Sequence, residues 1–347
     1  MSTTQPHDVY LVGTIPLTHS LDVFTAVAHL LGSRVKRVPD GEVGDRQMWI
    51  NAQYPILAAC PGLEVGDIPP EGLTRRTSYR IPVRVRSTAS VGDFVFGELG
   101  YARYATSSYG QFRSLKKAGK IPTSWRFQVN LPCPLDVLSM VEPGSRALIE
   151  APYERALLSE AARIQDAIPH AELAITWDVV RGLLFWEDPT SEYFTMWFDD
   201  PKNGIVDRLA RLGKAVLPGV ELGYHLCYGS QDNKHALEPR DLGASVDLAN
   251  AIARQLPRPI NYVHMQVPRD RNDDAYFAAL ERLDRARVQH VYLGLLHESE
   301  GIAGARLKIE AAERVLADFG IATECGMGRL PHPDVSRLLK LHADVIG

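Results

Sequence analysis

His225 and Cys227 stand two residues apart at the end of an apolar run, Glu221-Leu-Gly-Tyr-His-Leu-Cys-Tyr-Gly-Ser230. In an extended strand, side chains alternate faces with period two, so an imidazole and a thiol at this spacing point the same way. A third soft donor, Cys325, lies in Ala322-Thr-Glu-Cys-Gly-Met-Gly-Arg329, where a short apolar run meets glycines. Zinc takes histidine nitrogen and cysteine thiolate in tetrahedral geometry, and a catalytic site keeps one position open for water or substrate. These three residues therefore read as ligands of a Zn2+ site that the fold must assemble. His264 or Gln266, in Ile260-Asn-Tyr-Val-His-Met-Gln266, is the candidate for a fourth contact.

The remaining ionisable candidates also sit where apolar runs end. Asp178 closes Glu172-Leu-Ala-Ile-Thr-Trp-Asp178, and His297 and Glu298 follow His290-Val-Tyr-Leu-Gly-Leu-Leu296. Glu324 precedes Cys325. Asp40, Glu42 and Arg46 come from Pro39-Asp-Gly-Glu-Val-Gly-Asp-Arg46. Asp-Gly is also a common turn pair, so turn and site readings both stand for that segment. Trp186, in a stretch rich in aromatics and acids, is a candidate for binding an aromatic substrate.

The elements that must position these groups alternate. Strands are expected at 9–15, 34–38, 125–131, 172–178, from 221, at 260–266, 290–296 and 322–325, and helices at 21–31, 109–117, 152–168, 203–216, 243–255, 273–286 and 303–319. Eight strands, most separated by helices, indicate an α/β fold, a single-domain (β/α)8 barrel, with a doubly wound open sheet as competitor. A dinucleotide fold wants GxGxxG after its first strand, and Leu11-Val-Gly-Thr-Ile-Pro16 has only Gly13. Residues 55–105 are rich in proline and glycine and are expected to be an insertion or small hairpin, with Pro82 confining Tyr79–Val85 to an edge.

The bulk composition is that of a globular chain. It has 347 residues, 45% hydrophobic and 23% charged, with a formal net charge of −4. This balance offers no electrostatic reason to expect nucleic acid or an anionic membrane as partner. Four cysteines, at 60, 133, 227 and 325, do not form a secreted disulfide framework, and no CxxC pair supplies a self-contained zinc knuckle. With no apolar leader and no run of ~18 apolar residues, a cytoplasmic enzyme acting on a small molecule is the expectation.

On these residues the chain resembles the catalytic barrel of cobalamin-independent methionine synthase, within the superfamily that includes uroporphyrinogen decarboxylase. Leu11-Val-Gly-Thr-Ile-Pro-Leu-Thr18 is similar to that family's first barrel strand. His225-Leu-Cys-Tyr228 resembles its His-x-Cys zinc motif, and Glu324-Cys-Gly-Met-Gly-Arg329 its late cysteine motif. Gly294 to Ser299, with His297, resembles the segment that brings a histidine near the thiol substrate. The chain departs from the family on strand six, where His264 or Gln266 stands in place of a glutamate ligand, and at Trp177-Asp-Val-Val180, where an Asp-Glu-Pro run is absent. At 347 residues the chain is expected to lack the extra folate-binding barrel of the full-length synthase, so the resemblance does not imply methyltetrahydrofolate.

The resemblance implies alkyl or methyl transfer to a zinc-bound thiol. Asp178 or Asp40 would orient a cationic part of the substrate, and His297 would move a proton or hydrogen-bond it. Three other readings keep the barrel: a zinc-dependent lyase or decarboxylase, a hydrolase, or a non-catalytic binding protein.

Overall fold

A computed structural model describes residues 7–67, 81–190, 195–229, 235–329 and 332–346. Its parallel strands are β1 (Val9–Tyr10), β2 (Arg37–Pro39), β3 (Arg126–Pro132), β4 (Leu173–Val179), β5 (Glu221–Leu226), β6 (Tyr262–Gln266), β7 (Val291–Leu296) and β8 (Gly320–Thr323). They run in sequence order from β2 to β8, and β8 pairs in parallel with β1. The seam between β1 and β2 is closed by parallel bridges Val9↔Val35 and Thr14↔Gly41, and the Ile15 amide donates to the Gly41 carbonyl at 2.9 Å. An open doubly wound sheet has two free edges, whereas this one returns on itself. The fold is a (β/α)8 barrel.

Helices Ser20–Leu30, Tyr101–Lys117, Arg146–Ala167, Pro201–Lys214, Gly243–Gln255, Gly301–Glu313 and His332–Val345 accompany the strands. The central strands are buried along almost their whole length, which is why they read as continuous apolar runs rather than alternations. Among the described residues, no helix is long and apolar enough to cross a membrane.

Inside the barrel, away from the mouth, the filling is aromatic and polar. Tyr10 stacks on Tyr292, their centroids 4.9 Å apart, and the Arg37 guanidinium lies 4.0 Å above the Tyr262 ring. Arg37 donates to the Tyr292 hydroxyl at 2.9 Å and pairs with Glu221, so its buried charge is compensated.

Several expected boundaries move. β1 stops at Tyr10 rather than Ile15, because Gly13 takes φ +106, outside the strand region. The helix expected from Tyr109 begins at Tyr101. Pro152 lies seven residues into the helix Arg146–Ala167 instead of in a first turn; the run from Arg146 carries the helix through a residue that lacks one backbone donor. The expected helix 273–286 is a short α turn, Asp274–Phe277, followed by a 3-10 segment. In the region expected to be an insertion, Val83–Val85 pairs antiparallel with Leu63–Val65. Residues 68–80, which include Tyr79 and Arg80 of the expected edge piece, lie outside the described residues.

Candidate metal centre and its cavities

The register of the parallel sheet explains why residues remote in sequence meet. Asp178 on β4 is level with His225 on β5, and His225 is level with His264 on β6. Paired residues on neighbouring strands point to the same face. Their side chains therefore form a row across the barrel mouth. Cys227 follows β5 and Cys325 follows β8, both just past the carboxyl ends of their strands.

Ligand atoms of His225, Cys227 and Cys325 lie within 4.8 Å of one another. The two Sγ atoms are 3.7 Å apart, and Cys325 Sγ is 3.8 Å from His225 Nε2. Donors bound to one tetrahedral zinc at ~2.0–2.3 Å stand roughly 3.3–3.8 Å apart. These two spacings and the S2N chemistry fit a zinc ion, and the remaining pair, Cys227 and His225, lies within 4.8 Å. The Gly229 amide donates to Cys227 Sγ at 3.3 Å, a contact that favours the thiolate.

Neither candidate for the fourth contact joins this group. His264 Nδ1 is 2.7 Å from His225 Nδ1 and its Nε2 is 3.0 Å from the Thr323 carbonyl oxygen, so both ring nitrogens are engaged elsewhere. Gln266 accepts from the Tyr228 amide and reaches the Gly229 carbonyl and Glu324 at 3.4 Å each. It braces the backbone after Cys227.

The donor group lines a cavity of about 70 Å³ whose other walls include Thr14, Glu42, Trp49 and Asp178. Asp178 accepts from Asn130 at 2.9 Å and from the Trp49 indole at 3.1 Å. Burial raises its pKa, while His225 and these hydrogen bonds pull it back. Burial, then repulsion from Asp178, pushes Glu42 up to about 8, against a hydrogen bond from Thr14. Two carboxyl groups facing one enclosed space thus resist ionising together.

A second cavity, about 380 Å³, adjoins the first across Glu42, Met48 and Trp49, which line both. Tyr101, Tyr104, Phe127 and the Asp40–Arg46 ion pair (2.9 Å) contribute to its walls. Asp40 also accepts from the Glu42 amide at 2.9 Å, as an Asp-Gly turn allows.

His297 and Glu324 line neither cavity. His297 Nε2 is 2.9 Å from the Val267 carbonyl oxygen, and its Nδ1 is 3.1 Å from Glu324. Burial works to raise the Glu324 carboxyl, but hydrogen bonds from His235 and His297 outweigh it and hold it at about 2. Trp186 is also away from both cavities, its ring 5.2 Å beneath Lys202 Nζ. The indole at the site is Trp49, on an irregular segment after β2 whose pattern gives no periodic signal. Asn130 was more legible: with Gln128 it makes a polar pair at period two within an apolar strand.

No family model matches the chain, and none of the curated proteins compared with it matches. Among solved structures it is similar to a B12-independent methionine synthase from Shewanella sp. W3-18-1, determined in complex with selenomethionine. The identity is 16%, the similarity covers 99% of this chain and 96% of that one, and the TM-score is 0.58. A likeness this remote in sequence establishes the shared barrel fold.

Proposed function

We propose that this chain is a zinc-dependent enzyme that transfers an alkyl group, most simply methyl, to a small thiol. The carrying observation is the His225–Cys227–Cys325 donor group, whose two spacings to Cys325 match one tetrahedral ion and which lines a cavity with Asp178 and Glu42. Among the described residues three donors come together, one fewer than zinc takes, which supports a catalytic rather than a structural site. The neighbour of the same fold is a B12-independent methionine synthase determined in complex with selenomethionine, which supports a reading in this reaction class.

Zinc held by these three residues would lower the pKa of a thiol brought to it and favour its thiolate. The chain's own groups supply orientation and proton handling. Asp178, fixed by Asn130 and Trp49, offers an acceptor for a cationic part of the thiol substrate. Glu42, protonated near neutrality and facing both cavities, can give its proton to a leaving group arriving from the larger cavity. The Asp40–Arg46 pair provides polar recognition there. His297 and Glu324 support the loops around the donor group through their mutual hydrogen bond.

Metal analysis of protein purified without added zinc, together with Cys227→Ser, tests the proposal. The wild type should carry about one zinc per chain, and the variant should lose both metal and thiol-dependent alkyl transfer. Full activity in metal-stripped enzyme would overturn it. Release of CO₂ or a cleaved fragment without thiol dependence would favour a lyase, decarboxylase or hydrolase.

A further inference from the structure

His264 is fully buried and lies outside the donor group, yet touches it through His225. Its two ring nitrogens meet different partners, and this difference determines where the hydrogens sit. Nε2 is 3.0 Å from the Thr323 carbonyl oxygen, which can only accept, so His264 carries a hydrogen on Nε2. The 2.7 Å gap between the two Nδ1 atoms has room for one hydrogen. If His264 supplied it, that ring would be an imidazolium buried against a second histidine, a costly arrangement. His225 therefore supplies it. Its Nδ1 donates, which leaves the Nε2 lone pair to accept from the Cys325 thiol, 3.8 Å away, or to bind a metal in its place.

We propose that His264 is a positioning residue: the Thr323 carbonyl fixes its tautomer, and it in turn fixes His225 with Nε2 presented as a metal donor. The relay is built by register. His264 lies beside His225 across the β5–β6 pair, and Thr323 ends β8 two residues before Cys325. The strand that supplies one thiol thus also supplies the carbonyl that orients the imidazole. A hydrogen-bonded partner on the non-ligating nitrogen is the usual way a metal-binding histidine is held, and its loss typically costs 10- to 100-fold in affinity.

The purpose of the relay rests on the zinc reading above, but the tautomers exist in metal-free protein too, so the two claims can fail separately. Two-bond ¹H–¹⁵N correlation spectra of metal-free, ¹⁵N-histidine-labelled protein should show His225 with hydrogen on Nδ1 and bare Nε2, and His264 the reverse. Zinc affinity is then measured by competition with a chromophoric chelator. His264→Phe keeps a ring but no acceptor and should weaken binding roughly 10- to 100-fold. His264→Asn, whose Oδ1 can accept from His225 Nδ1, should stay within several-fold of wild type. If the phenylalanine variant does not fold, His264→Leu serves the same purpose. Hydrogen on His225 Nε2 in the metal-free protein would overturn the inference, as would undiminished affinity in the acceptor-free variant. Wild-type protein with no zinc affinity would instead overturn the metal reading, and the spectra would still decide the tautomer.

Discussion

At the scale of single residues, the donor types were legible because soft ligands at strand ends are few and their chemistry is narrow. His225, Cys227 and Cys325 needed only the alternation of a strand and the shared mouth of a barrel to be grouped. His264 was legible as a histidine near the site but not as a partner of His225, because register between strands is not written in either strand alone. Glu42 carries the pH consequence. Its carboxyl titrates near the ordinary 4.5 when unfolded and at about 8 when folded, so the folded state holds the proton more tightly. Stability contributed at this residue is intact below about 4.5 and is lost as pH rises toward 8, because unfolding then releases a proton. Glu42→Gln should therefore change the melting temperature little at pH 5 in chelator. At pH 8.5 it should raise stability by on the order of 2 kcal/mol, since Glu42 and Asp178 share the penalty. A difference between variant and wild type that does not grow with pH would show that Glu42 is not buried as an acid.

At the scale of elements, long helices and buried strands declared themselves through period and apolarity, whereas the pieces that shape the mouth did not. β1 and β2 are only two and three residues long, and the barrel is sealed between them by a turn. Gly41 sits in that turn at φ +80. A Cβ there would stand 2.7 Å from Val23 Cγ2 and 2.8 Å from the Ile15 carbonyl oxygen, the second a backbone atom that cannot swing aside. Gly41 also accepts from the Ile15 amide across the seam and separates Asp40 from Glu42. Gly41→Ala combines a left-handed backbone penalty of ~1–2 kcal/mol with that overlap, and should cost at least about 3 kcal/mol in urea unfolding or prevent folding. Wild-type stability in this variant would mean that the turn can relax without opening the seam. The segment carrying Trp49, itself at φ 53, shows the same limit: an irregular backbone places an indole on Asp178 without any sequence period to announce it.

At the scale of the whole molecule, the alternation of strands and helices was sufficient to propose a barrel, and closure distinguishes it from an open sheet. Closure also decides what a metal would do to stability. The two thiols lie 98 residues apart in sequence, on segments following β5 and β8, and His225 belongs to β5. A zinc ion joining them would tie two non-adjacent strands across the mouth and bind the folded barrel in preference to the open chain. Linkage then gives RT ln(1 + [L]/Kd), about 2.7 kcal/mol at a free concentration one hundred times Kd. Thermal unfolding should accordingly rise by several degrees between chelator and excess zinc. Cys227→Ser and Cys325→Ser should each remove most of that rise while leaving the chelator melt within about 2 kcal/mol of wild type, because each exchanges one sulfur for oxygen with little change of volume. A zinc-dependent rise that survived both substitutions would place the stabilising metal elsewhere in the molecule. Equal loss in both variants would show that the ends of β5 and β8 act as one site.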